Sequence, residues 1–268
     1  MKNKNIKLVV TDLDGTFVNK NKEVSEINKK AVNTLIEKGV EFVVASGRDY
    51  TSIKDLTRDI TNINYYICLN GAKIYKDGKI IYKKTVDRDI SLDILQRATE
   101  MNINYSGTAG NDICYSQLDT EYYKEFALEK RNFNFISNED KKNVVARDFE
   151  KMVFYGDLNY LKNLRDYVED KYSNVVNVFV SGDNIMDIVN IQCNKGNALK
   201  IVSDDCKIPL ANIMAFGDNE NDLAMLEEAG LSVAMENAKD VVKNKIKERT
   251  DSNENSGVGN YLNKYFNL

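Results

Sequence analysis

The feature that most constrains this fold is the alternation of short apolar runs with helix-forming stretches over residues 6–72. Residues 6–10, 40–47 (VEFVVASG) and 65–72 (YYICLNGA) are apolar runs of strand length, bounded by charged residues and glycine. Between the first two, Ser25 reads as a helix N-cap. Ile27, Ala31, Val32, Leu35 and Ile36 form one stripe, and Gly39 closes the helix. A weaker helix is predicted over about 50–60. Strand–helix–strand–helix–strand calls for a parallel sheet with right-handed crossovers.

The pattern changes near residue 74. KIYKDGKIIYKK places Asp77-Gly78 between two alternating runs, a hairpin signal. Helices are predicted over about 89–101, 119–131 and 158–171, with strands at INYSG, DICYS and KMVFYG. NVVNVFVSGDNIMDIVNI reads as a further hairpin. The alternating pattern resumes at Lys195, with a helix, the strand IMAFGD (213–218), a helix over NDLAMLEEAG and the strand LSVAM. Helices over 238–247 and at the C-terminus follow. The expected architecture is α/β, with a Rossmann-like parallel-sheet core from 1–81 and 187–268 and an inserted α/β unit at 82–186.

Composition narrows the chemistry. The net charge is −4 with both signs mixed, which leaves no basic footprint for nucleic acid or an anionic membrane. Histidine is absent, which removes Ser-His-Asp and Cys-His catalysis and His-ligated zinc. Proton transfer then falls to carboxylates, Lys, Tyr or Cys. Cys68, Cys114, Cys193 and Cys206 form no CxxC pair and read as reduced thiols of a cytoplasmic protein. No stretch approaches a membrane span or a signal peptide.

Polar residues gather at four strand ends: Asp12 and Asp14; Ser46, Gly47 and Arg48; Asn70 and Gly71; and Asp218 with Asn221 and Asp222. In an open α/β sheet, ligands bind beyond the carboxyl ends of the strands, so all four point to one crevice. Asp12, Asp14, Thr16 and Glu23 also fall on calcium-loop positions. Phe17 occupies the position where that loop requires glycine, and a strand precedes it, so the calcium reading fails. Asp12, Asp218 and Asp222 would repel one another in a small site unless a divalent cation joined them, and all-oxygen donors suit Mg²⁺. A carboxylate there can attack phosphorus, and its neighbour can serve as general acid and base. That neighbour needs its acid form favoured over an ordinary aspartate. Arg48 has Asp12 and Asp218 as conceivable partners.

These residues resemble the haloacid dehalogenase superfamily of phosphotransferases and, within it, the Cof-like sugar-phosphatase group. The resemblance is carried by Asp12-Leu13-Asp14-Gly15-Thr16, Ser46-Gly47-Arg48, Asn70-Gly71-Ala72, Lys195-Gly196 and Gly217-Asp218 through Asn221-Asp222. VAMENA (233–238) resembles the group as well. The resemblance implies a Rossmann-like core with an inserted cap that selects substrate. It implies Asp12 as nucleophile and Mg²⁺ ligand, and Asp14 as general acid/base offering its main-chain carbonyl to the metal. Asp218 would be a ligand and Asp222 a member of the metal shell. Ser46 and Lys195 would hold the phosphoryl group, while Gly47, Arg48, Asn70, Gly71 and Asn221 line the substrate phosphate. The implied activity is Mg²⁺-dependent hydrolysis of a small phosphorylated metabolite by a cytoplasmic monomer or homodimer, without nucleic-acid or membrane partners. A phosphomutase, a dedicated biosynthetic phosphatase and a non-catalytic ligand sensor are the alternatives on the same fold. In P-type ATPase relatives a Thr replaces the residue corresponding to Asp14, so Asp14 favours turnover. One departure falls at Asn253-Glu254-Asn255-Ser256-Gly257-Val258, where the group often has Asp in place of Ser256; Ser is expected to serve equally as a helix cap. Tyr105, Tyr115, Tyr122 and Tyr123 are candidates to stack on a leaving group, or else ordinary core and surface residues.

Overall fold

The computed structural model describes residues 5–116, 134–138, 144–181 and 184–268. The chain divides into two compact units, residues 1–82 with 194–268, and residues 83–193. The helix expected at 119–131, with Tyr122 and Tyr123, lies outside the described residues.

The first unit is built on parallel strands β1 (Leu8–Thr11), β2 (Glu41–Ala45) and β3 (Tyr65–Cys68), then the hairpin β4 (Lys73–Lys76) and β5 (Lys79–Lys83). The second unit, described below, contributes β6 to β11. The sheet of the first unit resumes with β12 (Ile213–Gly217), β13 (Leu231–Met235) and β14 (Glu248–Thr250). Among the described residues its order is β14-β13-β12-β1-β2-β3-β4-β5. Strand β1 pairs in parallel with both β2 and β12, so the order reverses between β1 and β12. Leu8, Val9, Val10, Phe42, Val43, Val44, Met214 and Phe216 are all fully buried. A parallel sheet covered on both faces requires such continuous apolar runs.

Helices α1 (Glu26–Glu37) and α2 (Tyr50–Leu56) supply the first crossovers. Ser25 caps α1 by accepting from the Asn28 amide. The stripe read from the sequence needs one correction. Ile27 is 47% exposed, and Asn28 is buried in its place. Asn28 is satisfied there, donating to the Phe17 carbonyl and accepting from the Gly259 amide. Burial of an amide is tolerable because its hydrogen bonds are made.

The second unit carries helix α3 (Arg88–Glu100), strands β6 (Asn104–Ala109), β7 (Asp112–Tyr115), β8 (Asn134–Ser137) and β9 (Lys151–Tyr155), helix α4 (Leu158–Tyr172), and strands β10 (Val176–Ser181) and β11 (Ile185–Asn190). Its sheet order among the described residues is β10-β11-β9-β6-β7-β8. Ile94, Leu95 and Ala98 of α3 and Leu161, Leu164 and Val168 of α4 share one buried core with Tyr105, Phe149, Met152, Phe154 and Ile188. Tyr105 is thus a core residue of this unit. Tyr115 lies edge-on to Phe135. A division at 186/187 would cut β11, which pairs with β10 from Val176↔Asn190 to Ser181↔Ile185. The hairpin ladder holds that whole strand in the second sheet, so the break falls after Cys193.

Back in the first unit, α5 (Lys195–Cys206), α6 (Leu223–Glu228), α7 (Asp240–Lys245) and α8 (Gly257–Phe266) complete the layers. Ser256 does not cap α8 through its side chain. It adopts a left-handed conformation (φ 59°), and its hydroxyl meets that of Ser25 at 2.8 Å.

Candidate active site

The reversal of strand order sets two strand ends side by side at the topological switch point. The Asp12 amide donates to the Phe216 carbonyl at 3.0 Å, extending the β1–β12 ladder by one residue. Asp12 therefore emerges beside the loop that carries Asp218.

Lys195, the first residue of α5, joins this corner. Its helix starts at Asn194, whose side chain accepts from the Asn197 amide. The lysine is 1% exposed, and its Nζ donates to Asp12 Oδ1 at 2.5 Å and to Asp222 Oδ1 at 2.6 Å. Burial pulls the ammonium pKa down, but Asp12 and Asp222 more than offset this, so it stays above the ordinary lysine value. Asp222 is fully buried. Its Oδ2 accepts from the amides of Asp218 and Asn219, both at 2.9 Å, which fixes the turn after β12. The Asp218 carboxylate accepts from the Thr16 hydroxyl at 2.6 Å. Burial, and then the Asp222 charge, push Asp218 up to about 6. The same two causes hold Asp12 well above the usual carboxylate range, against the pull of Lys195.

Asp14 lies apart from this cluster and pairs with cations. Arg48 donates to it through Nε at 2.7 Å and Nη2 at 3.0 Å, and Lys22 Nζ donates at 2.7 Å. Burial raises its pKa, yet Arg48 and Lys22 overcome that and hold it at about 2. The expectation that its acid form is favoured is therefore reversed in this arrangement, because two cations stabilise the carboxylate. Arg48 pairs with Asp14 and not with Asp12 or Asp218, and its Nη1 also donates to Ser52.

Ser46 follows β2 directly, and its main chain is bonded to Ile67 and Asn70. Its hydroxyl accepts from the Arg48 amide at 3.2 Å. Gly47 lies against the Asn70 side chain, and Asn221 Nδ2 donates to Asn70 Oδ1 at 3.1 Å. Leu69, Asn70 and Gly71 are consecutive residues with positive φ (52°, 55° and 92°). Backbone held this way by its surroundings is typical of ligand-facing turns. A Cβ on Gly71 would strike the Asn194 carbonyl, so glycine permits the close approach of this turn to the start of α5.

The structure thus brings Asp12, Lys195, Asp218 and Asp222 together, links Asn70 to Asn221, and joins Arg48 to Asp14. Thr16 entered from the sequence only as a calcium-loop position and a motif member, with no role toward Asp218. Lys22 was not singled out, its one signal being proximity to Asp14, which is weak in a lysine-rich chain. One oxygen from each of Asp12, Asp218 and Asp222 lies within 4.8 Å of the others. Three crowded oxygen donors, two of them with pKa values raised partly by mutual repulsion, fit a hard divalent cation such as Mg²⁺. Asp222 is already committed to two amides and to Lys195. The Asp14 side chain lies outside the set, which leaves only its main-chain carbonyl for the ligand role that the resemblance implies.

A doubly wound sheet with carboxylates and a buried lysine at its switch point is the build of an α/β enzyme. The chain belongs to the haloacid dehalogenase-like hydrolases, whose family model matches residues 9–262, and within them to the Cof-like group. It is 28% identical to the Bacillus subtilis 5-amino-6-(5-phospho-D-ribitylamino)uracil phosphatase YcsE, over 94% of this chain and 93% of that protein. It is 25% identical to the phosphatase YwpJ of the same organism, over 96% and 99%. A solved haloacid dehalogenase-like hydrolase from B. subtilis superposes with a TM-score of 0.84 at 25% identity, covering 96% of this chain and 99% of that one. No helix among the described residues is long and apolar enough to cross a membrane.

Proposed function

We propose that this phosphatase of the haloacid dehalogenase-like family hydrolyses small phosphomonoesters through an aspartyl-phosphate on Asp12, with Mg²⁺ as cofactor. The observation that carries the reading is the buried Lys195 ammonium bridging Asp12 and Asp222, with Asp218 alongside. An Asp12 oxygen attacks phosphorus as the ester P–O bond breaks. Once substrate binding has parted Asp14 from Arg48 and Lys22, its carboxylate takes up a proton from solvent and passes that proton to the departing oxygen. The Asp14 carboxylate then takes a proton from water as the water oxygen attacks phosphorus, freeing Asp12 and inorganic phosphate. Lys195 and the Ser46 hydroxyl hold the phosphoryl oxygens. Bound among Asp12, Asp218 and Asp222, Mg²⁺ supplies the positive charge that lets a phosphate dianion approach carboxylates.

We assign leaving-group selection to the second unit, in keeping with its insertion between Ser46 and Lys195. The substrate class is a small sugar-, polyol- or similar monophosphate, which the name of the YcsE relative supports. Four free thiols accord with a cytoplasmic setting. The test is hydrolysis of p-nitrophenyl phosphate in Mg²⁺. Activity is expected to vanish in EDTA, return with Mg²⁺, and fall to background in Asp12→Asn. Equal rates in the variant end the nucleophile assignment, and activity indifferent to chelation ends the metal role. A screen of phosphorylated metabolites then ranks substrates by phosphate release.

A further inference from the structure

The two downstream stretches with no part in the chemistry above, VAMENA and the turn before α8, meet at the loop that follows the nucleophile. Asn237 Nδ2 donates to the Gly15 carbonyl at 2.8 Å. Its Oδ1 accepts from the Asn253 amide at 3.0 Å. Asn253 Nδ2 then donates to the Val18 carbonyl at 2.9 Å. Glu254 accepts from the Lys20 amide at 2.7 Å. Two side-chain amides thus form one relay, with its ends on carbonyls either side of Thr16.

We propose that Asn237 and Asn253 are positioning residues that set the geometry of the loop over residues 15–22, and through it of the catalytic carboxylates; this rests on the phosphatase reading above. The loop carries two grips on the site. The Thr16 hydroxyl holds Asp218, and Lys22 holds Asp14 in the resting arrangement that substrate binding must release. Gly15 (φ 81°) is pressed so closely that a Cβ there would come within 2.5 Å of Asp218 Oδ2. Fixing the Gly15 and Val18 peptides fixes Thr16 between them, so a loosened loop moves both grips together. The loop's own bonds, from the Thr16, Phe17 and Val18 amides to the Leu13 carbonyl, curl it, and Asn28 holds the Phe17 carbonyl. Asn237 and Asn253 add the hold on the Gly15 and Val18 carbonyls that flank Thr16. Asn237 is exposed and Asn253 partly so, and their removal opens no core cavity.

The test compares wild type with Asn237→Ala, Asn253→Ala and the double variant. Each single change is expected to lower kcat for p-nitrophenyl phosphate about tenfold, a modest share of what a 1 Å misplacement costs. KM is expected to move less than about twofold, because the phosphate contacts assigned to Ser46 and Lys195 remain. The double variant is expected to lose much less than the product of the singles, since both belong to one relay. Amide hydrogen exchange in peptides covering residues 15–24 is expected to quicken in all three, with the strands unchanged. Loop exchange at the wild-type rate in the double variant overturns the proposal, as does faster exchange with kcat unaltered. A wild type that hydrolyses no phosphomonoester strikes the phosphatase reading instead, and the exchange measurement still decides whether the relay holds the loop.

Discussion

Replacing Lys195 by Met tests the electrostatics of the site without any substrate. Methionine keeps an unbranched chain of similar length and removes only the ammonium. Three carboxylates would then share a buried corner with no cation, and breaking a buried pair typically costs about 3–5 kcal/mol. The site has an escape, which bounds the loss. Asp12 is already held above the usual carboxylate range and can take up a proton. Protonating a group whose unfolded pKa is about 3.9 costs roughly 4 kcal/mol at pH 7, at 1.36 kcal/mol per unit. The variant's folded state then binds one proton more than its unfolded state. Stability is therefore retained at low pH and lost as pH rises, with a slope of about −1.4 kcal/mol per unit. Urea unfolding of the metal-free protein in EDTA should show Lys195→Met less stable than wild type by about 3–4 kcal/mol at pH 7 and by less at pH 5. The narrowing should be greatest above about pH 6, because below it wild type also gains stability from the proton taken up by Asp218. Adding Asp12→Asn to the variant removes the need for that proton and should flatten the pH dependence. A gap below about 1 kcal/mol at pH 7, or one that does not narrow toward pH 5, would refute this account of the buried cluster.

Two further substitutions probe separate parts of the site. Asp14→Asn should lower kcat by about 10²–10⁴ while rapid-quench experiments with p-nitrophenyl phosphate still show a burst of nitrophenolate, because that leaving group needs no general acid, Asp12 remains, and only the base for water attack is gone. Normal kcat with a raised KM would contradict that role. Gly71→Ala should cost about 1–3 kcal/mol in backbone strain, since φ is 92° and the new Cβ meets the Asn194 carbonyl. Because Asn194 starts the helix bearing Lys195, activity should fall along with the melting temperature, and an unchanged melting temperature would show the turn to be slack.

What the sequence revealed and what it hid divide along physical lines. Strand ends were legible because apolar runs stop at Asp12, Ser46, Asn70 and Asp218, and a parallel sheet gathers those ends at one edge. Lys195 stood out only through its place between the inserted unit and the motif at Gly217–Asp222. The partner of Arg48 was not legible, since Asp12, Asp14 and Asp218 present the same chemistry in sequence. That one contact, with Lys22, also reversed the expected pKa of Asp14. Lys22 reaches Asp14 only because the loop bends back on itself, which no periodicity signals. Ile27 and Asn28 exchanged places for a tertiary reason: α8 packs on α1 and brings the Gly259 amide to Asn28. The strand Asn134–Ser137 escaped notice because it is short, largely exposed and paired in parallel to β7, so it lacks the alternation of a half-buried strand.

The pairing pattern carries a consequence for how the reaction starts. Every cation assigned to the chemistry is held by a carboxylate assigned to the chemistry: Lys195 by Asp12 and Asp222, and Arg48 by Asp14. Under the proposed mechanism, a phosphate dianion must draw Lys195 away from Asp12 before that oxygen can attack, and the leaving group must find Asp14 free of Arg48. Both exchanges replace a carboxylate–cation contact by a phosphate–cation contact, so neither leaves a buried cation bare. The free energy of substrate binding is then spent partly on redistributing these pairs. A neutral analogue of the substrate, unable to compete for Lys195, has no means of breaking the resting bridge. Discrimination for a charged phosphate is in that sense set by the site's own ion pairs, before any contact with the leaving group is made.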